Sequence, residues 1–205
     1  MTSPFAAELI TDLQDIVEEG LTPEQFTEIS RVVARDCERL ANADALYFVI
    51  GNYDEERGQK DRVIETRDRI SLDPSAEAFL LEDIDPADDA WENWYLKFRI
   101  FLRRSDYVVG VFEDNDGGHE LEAGEVDNEK LLILKRDYYD EEGQPDVTRE
   151  HERFDGMLAK LFEFLDRRGQ LYCWTLDDVP GYDSLETATE RLVTETKPDR
   201  ERSSE

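Results

Sequence analysis

The chain has 205 residues, 52 acidic against 24 Lys+Arg, and a formal net charge of −28. Apolar residues still make up 39% and recur with clear periodicity, which excludes a disordered acidic tail. No basic stripe is available to displace counterions, which disfavours direct binding to nucleic acid.

In chain order, Phe5, Leu9, Leu13, Ile16 and Val17 share one helical face, and Gly20 stops that helix. Thr22 as N-cap, Pro23 at the first helical position and Gln25 in a capping-box pattern start a second. Its stripe is Phe26, Ile29, Val33, Cys37 and Leu40. These helices make residues 1–43 an N-terminal extension, which either packs on the domain or makes a homodimer contact. Strands and helices then alternate: "ALYFVIG" (45–51), a polar helix over 57–70, "EAFLLED" (77–83), and a helix over 88–104 with Trp91, Trp94, Phe98 and Phe101 in its stripe. "YVVGVF" (107–112), a short helix over 118–127 and "KLLILK" (130–135) follow. The acidic loop 137–150 reads as solvated surface. Phe154 to Leu165 marks another helix, "QLYCWTL" (170–176) the last strand and 183–195 the last helix.

Continuous apolar strand runs are typical of parallel sheets. Five strands, each followed by a helix, predict a three-layer α/β/α sandwich of flavodoxin-like order 2-1-3-4-5 over residues 44–196, with a polar tail at 197–205. No apolar run approaches the roughly 18 residues of a membrane span. The N-terminus lacks the basic start of a signal peptide. Cys37 and Cys173 read as small buried apolar residues, which points to a reducing cytoplasm.

Three readings of the charge compete: adaptation to molar salt, an acidic binding partner or nucleic-acid mimic, and an ordinary acidic protein. Salt adaptation is favoured, because the Debye length falls to about 3 Å at 1 M salt and screens self-repulsion. Only 6 of the 24 cations are lysine, whose long stem adds exposed apolar area.

In the order 2-1-3-4-5 the ligand crevice lies beyond the carboxyl ends of strands 1 and 3. The segments there are "GNYDEERG" (51–58) and "EDNDGGHELEAGE" (113–125). Gly117 and Gly118 before a helix suit a phosphate cradle, but six surrounding carboxylates, with no lysine or arginine close in sequence, favour a neutral, hydroxyl-rich ligand. A calcium loop aligned on Asp116-Gly117 would place Phe112 and Ala123 at its end positions, where carboxylate ligands are needed. His119 and His151 are not at zinc-ligand spacing. Neither a metal nor a cofactor is expected.

"SDYVVGVFEDNDGGHELEAGEV" resembles the pattern of nucleoside 2-deoxyribosyltransferases and the related TIR domains. In that pattern an Asp precedes a strand that ends in an acid, then Asp-x-Gly leads to Glu-x-Gly at a helix start. Asp106, Glu113, Asp116-Gly117-Gly118 and Glu122-Ala123-Gly124 take those places, and "YFVIG" resembles the family's opening strand. Asn52 stands where the family has Pro, Phe48 where it has Tyr, and Glu113 where it has Asp. The pattern is also similar to that of small acidic proteins of halophilic archaea.

The resemblance implies the same five-stranded sandwich, with Glu122 as the nucleophile at an anomeric carbon. Asp116 would hold sugar hydroxyls or assist the leaving base, and Gly51, Asn52, Tyr53, Glu113, Gly117, Gly118 and His119 would line the substrate site. The expected function is N-glycosyl transfer or hydrolysis on a nucleoside or nucleotide. The alternatives are a non-catalytic nucleotide or sugar-nucleotide sensor and an interaction protein without activity.

Overall fold

The apolar run Ala45–Gly51 forms β1, buried along its whole length, and around it assemble β2 (Ala76–Phe79), β3 (Tyr107–Phe112), β4 (Leu131–Arg136) and β5 (Leu171–Trp174). The computed structural model describes residues 39–84, 94–115, 119–154, 156–176 and 179–196, with Thr11, Thr27 and Arg31. All neighbouring strands pair in parallel, in the order β2-β1-β3-β4-β5. Asp106 ties the starts of β1 and β3: its Oδ2 accepts from Leu46 N at 2.9 Å, and its own N–H donates to Leu46 O. Of the two expected N-terminal helices only Thr11, Thr27, Arg31, Arg39 and the buried Leu40 are among the described residues; Cys37, Trp91 and the tail lie outside them.

Side chains alternate across each strand and build two cores. Phe48, Phe79, Val108, Phe112 and Ile133 meet α2 (Trp94–Arg104), α3 (His119–Gly124) and α5 (Gly156–Asp166) on one face. Tyr47, Val49, Val109, Val111 and Leu134 meet α1 (Gln59–Ile70) and α6 (Leu185–Thr196) on the other. The chain therefore covers one face on the way from β1 to β2, the opposite face between β2 and β5, and returns to the first face after β5. Strand order reverses between β1 and β3, so their carboxyl ends splay around a crevice.

Gly51, expected at the ligand, has a packing role. A Cβ there would lie 2.5 Å from Val63 Cγ2 and 3.3 Å from Val111 O. Gly51→Ala should therefore destabilise the fold by about 1–3 kcal/mol, the usual cost of an added core methyl. Urea unfolding measures this, and Val63→Ala should restore part of the loss.

Several local expectations need correction. The extended stretch expected over 77–83 ends at Phe79, and Leu81–Asp83 is a 3-10 turn held by the Asp83 carboxylate, which accepts from Leu80 N at 2.8 Å. Trp94 is 55% exposed rather than core, because the buried stripe of α2 runs through Phe98, Phe101 and Leu102. Cys173 is half-buried beside Asp137; burial first, then that carboxylate, pushes its thiol up to about 12.

The loop 137–150 is not simply solvated surface. It buries Tyr138 and Tyr139, then enters α4 (Val147–Arg153), whose first turn is capped by Asp146 accepting from Arg149 N. No helix among the described residues is long and apolar enough to cross a membrane.

Candidate functional site

Beyond β1 the chain turns through Asn52 to Gly58 before entering α1. Asn52 Oδ1 accepts from Asp54 N at 3.1 Å, and Asp54 Oδ1 accepts from Arg57 N at 3.0 Å. Gly58, at φ +66°, occupies the left-handed position that starts the helix. These local bonds give Asn52 a turn-forming role. Tyr53 is partly exposed with Lys60 Nζ 5.5 Å from its ring centroid. Desolvation, then the Glu82 and Glu122 carboxylates, push its hydroxyl pKa above the usual tyrosine range.

At the end of β3, Glu113 and Asp114 are both buried. Glu113 faces α1, where Arg62 grips it with two bonds, Nε to Oε1 at 2.6 Å and Nη2 to Oε2 at 2.8 Å. Arg136, at the end of β4, adds Nη1 to Oε2 at 3.1 Å, and the Tyr138 hydroxyl donates to the Glu113 carbonyl. Asp114 Oδ2 accepts from Arg57 Nη1 at 3.1 Å and Gln59 Nε2 at 2.9 Å, with Arg153 Nη1 at 3.8 Å. Glu113, expected as a substrate contact, is thus one member of a buried ion-pair lattice.

The expectation of a cationless cluster is also corrected. Arginines from the 51–58 turn, α1, β4 and α4 converge on these two acids. They enclose a cavity of about 250 Å³, lined by Arg57, Arg62, Arg136, Arg149 and Arg153 with Gln59 and Tyr138. Sequence reasoning missed them because ligand and partner lie up to 57 positions apart. One local signal existed: Arg149 and Arg153 stand four apart in α4 and so share a helix face.

Glu122 behaves differently. It sits in α3, where Ala123 and Val126 anchor the segment in the core, and its carboxylate is half-buried. Burial raises its pKa above the ordinary carboxylate value. Among the described residues that carboxylate has neither an ion pair nor a hydrogen bond. Glu125, three residues on, is exposed and pairs with Arg99 at 2.6 Å. Asp116, Gly117 and Gly118 lie outside the described residues; His119 is the first residue of α3, and its side chain is likewise outside them. Among the described residues no group of His, Cys, Asp and Glu side chains is disposed to hold a metal.

The carboxyl edge of this parallel α/β sandwich thus carries one partly buried carboxylate and an arginine-walled cavity, in the region where open α/β sheets in general bind ligands. The chain belongs to the family described as Family of unknown function (DUF8170), whose model matches residues 2–158. No curated protein matches the chain.

Proposed function

We propose that the protein cleaves or transfers the N-glycosidic bond of a nucleoside or nucleotide, with Glu122 as the nucleophile. In the first step a Glu122 carboxylate oxygen bonds to the anomeric carbon, the bond from that carbon to the base nitrogen breaks, and the base leaves with the electron pair and takes up a proton. In the second step water or a second base attacks the same carbon and frees Glu122. The observation that carries this reading is a half-buried carboxylate, without a partner among the described residues and close enough to Tyr53 to act on its hydroxyl, in a sheet whose order reverses between β1 and β3. Partial desolvation makes such a carboxylate more basic and a better attacking group.

Incubation with a panel of nucleosides, nucleotides and NAD in molar KCl, followed by chromatography for free base, tests the proposal. Base release supports it, and absence of release across the panel refutes it. A second reading, a nucleotide-sensing module without chemistry, is supported by the arginine-walled cavity, whose lining offers donors to an anion. Ligand-induced thermal shifts without base release would select it.

The proposed setting is a salt-rich, reducing cytoplasm. Stability should then rise between about 0.2 M and 2 M KCl, as self-repulsion among the surplus carboxylates is screened. Urea midpoints across that range measure it; equal stability in dilute buffer would remove the salt-adapted setting.

A further inference from the structure

We propose that the arginine-walled cavity is a binding site for a phosphoryl group, free or as a phosphomonoester. The chain has more than two acids for every cation, yet five of its 18 arginines line this one cavity of about 250 Å³. Two carboxylates, Glu113 and Asp114, share that lining, leaving a surplus of three positive charges. Asp54, 3.4 Å from Arg57 Nε, offsets one of them from outside. In so acidic a chain, carboxylates are not scarce. The cationic surplus that this lining keeps among the described residues is a place where an external anion gains most.

The donor set is open to such an anion. Arg136 Nε is buried without a hydrogen-bond partner among the described residues, although Nη1 of the same guanidinium holds Glu113. Arg149 forms no ion pair among the described residues; its guanidinium and that of Arg136 each lie 4.7 Å from the centre of the Tyr138 ring. Two like charges at one ring repel each other, and an oxyanion in the cavity that both line would lower that cost. Planar guanidinium forks match phosphate oxygens, each fork offering two parallel donors.

Gln59 adds a selective element. It is buried to 3% exposure, its Nε2 is spent on Asp114, and its Oε1 is buried with no partner among the described residues. That oxygen can accept the proton of a monoprotonated phosphate, which sulfate lacks at neutral pH.

The site needs no chemistry at Glu122. Taken with the glycosyl-transfer reading, on which this extension rests, it makes the substrate a nucleotide, where the sequence leaves nucleoside and nucleotide both open.

Isothermal titration with inorganic phosphate tests the site in the wild-type protein, in Glu122→Gln and in the double variant Arg149→Gln/Arg153→Gln. The wild type and Glu122→Gln should bind one phosphate, and sulfate more weakly. The double variant should bind at least about tenfold more weakly, the loss of one charge-assisted contact. Should the double variant's circular dichroism differ from wild type, Arg149→Gln alone carries the comparison, since it breaks no ion pair. Adenosine 5′-monophosphate that displaces phosphate, where adenosine does not, identifies a monoester ligand; phosphate binding without that displacement identifies free phosphate. Absence of saturable phosphate binding, or equal affinity in the arginine variants, overturns the proposal. Because Glu122→Gln keeps the cavity, loss of base release with phosphate binding intact separates the two proposals.

Discussion

Glu122→Gln should lower base release from a nucleotide substrate on the order of 10³–10⁴-fold, the scale on which removal of an attacking or proton-transferring group acts. The side chain keeps its size, so the fold is retained. The pH profile carries further information. The proposed nucleophile would attack only when ionised, and burial raises the Glu122 pKa, so the acid limb of activity should lie above the ordinary carboxylate range. The same shift fixes a stability effect. A carboxyl whose folded pKa is raised carries no charge-burial penalty below its unfolded value, and the penalty grows as pH rises through the folded value. At neutral pH the wild type bears that cost and Glu122→Gln does not. The variant should therefore be the more stable at pH 7, with the difference vanishing in acid. Activity and stability moving in opposite directions is the signature of a site residue held at a cost to the fold. Glu125→Ala should change activity little, because Glu125 is exposed and occupied by Arg99.

Glu113→Ala should cost about 3–5 kcal/mol of stability, the usual penalty for removing one partner of a buried ion pair. The carboxylate side chain is 3% exposed, and the Arg62 and Arg136 side chains are each 15% exposed. Its removal leaves two guanidiniums facing each other inside a cavity that already carries a positive surplus. Urea unfolding in molar KCl measures the loss, and the added salt should rescue little of it, because the pair lies beneath the screened surface. Arg62→Ala combined with Glu113→Ala should cost less than the sum of the two single changes. The Arg99–Glu125 pair is the control: both side chains are more than 40% exposed, and its loss should cost under about 1 kcal/mol. A Glu113→Ala penalty as small as that control would mean the lattice contributes nothing to the fold.

The sheet was legible in the sequence because each strand is a short apolar run with turn residues at its end, and the alternation with helices implies the order. "YVVGVF" matches β3 residue for residue. That order singles out the region beyond the carboxyl ends of β1 and β3 as the place to look for a site, and the family resemblance singles out Glu122 within it. The chemistry around the crevice was far less legible. Arg62 reaches Glu113 across 51 positions and Arg57 reaches Asp114 across 57, and nothing local marks such pairs. Acidic composition hid the rest: the 137–150 segment reads as solvent-facing, although its two tyrosines are buried and its helix carries two cavity arginines. Trp94 shows the opposite error, a large aromatic assigned to the core by type although it sits at the open end of α2.

The central claim is covalent attack by Glu122, and trapping the intermediate tests it most directly. A nucleotide bearing fluorine at the sugar 2-position and a good leaving base slows breakdown of the glycosyl-enzyme, since fluorine withdraws electron density from the oxocarbenium-like transition state. Intact-mass measurement followed by peptide mapping should find one glycosyl adduct on the peptide containing Glu122, and none in Glu122→Gln. An adduct on a different residue, or base release with neither an adduct nor a loss of rate in Glu122→Gln, would contradict it.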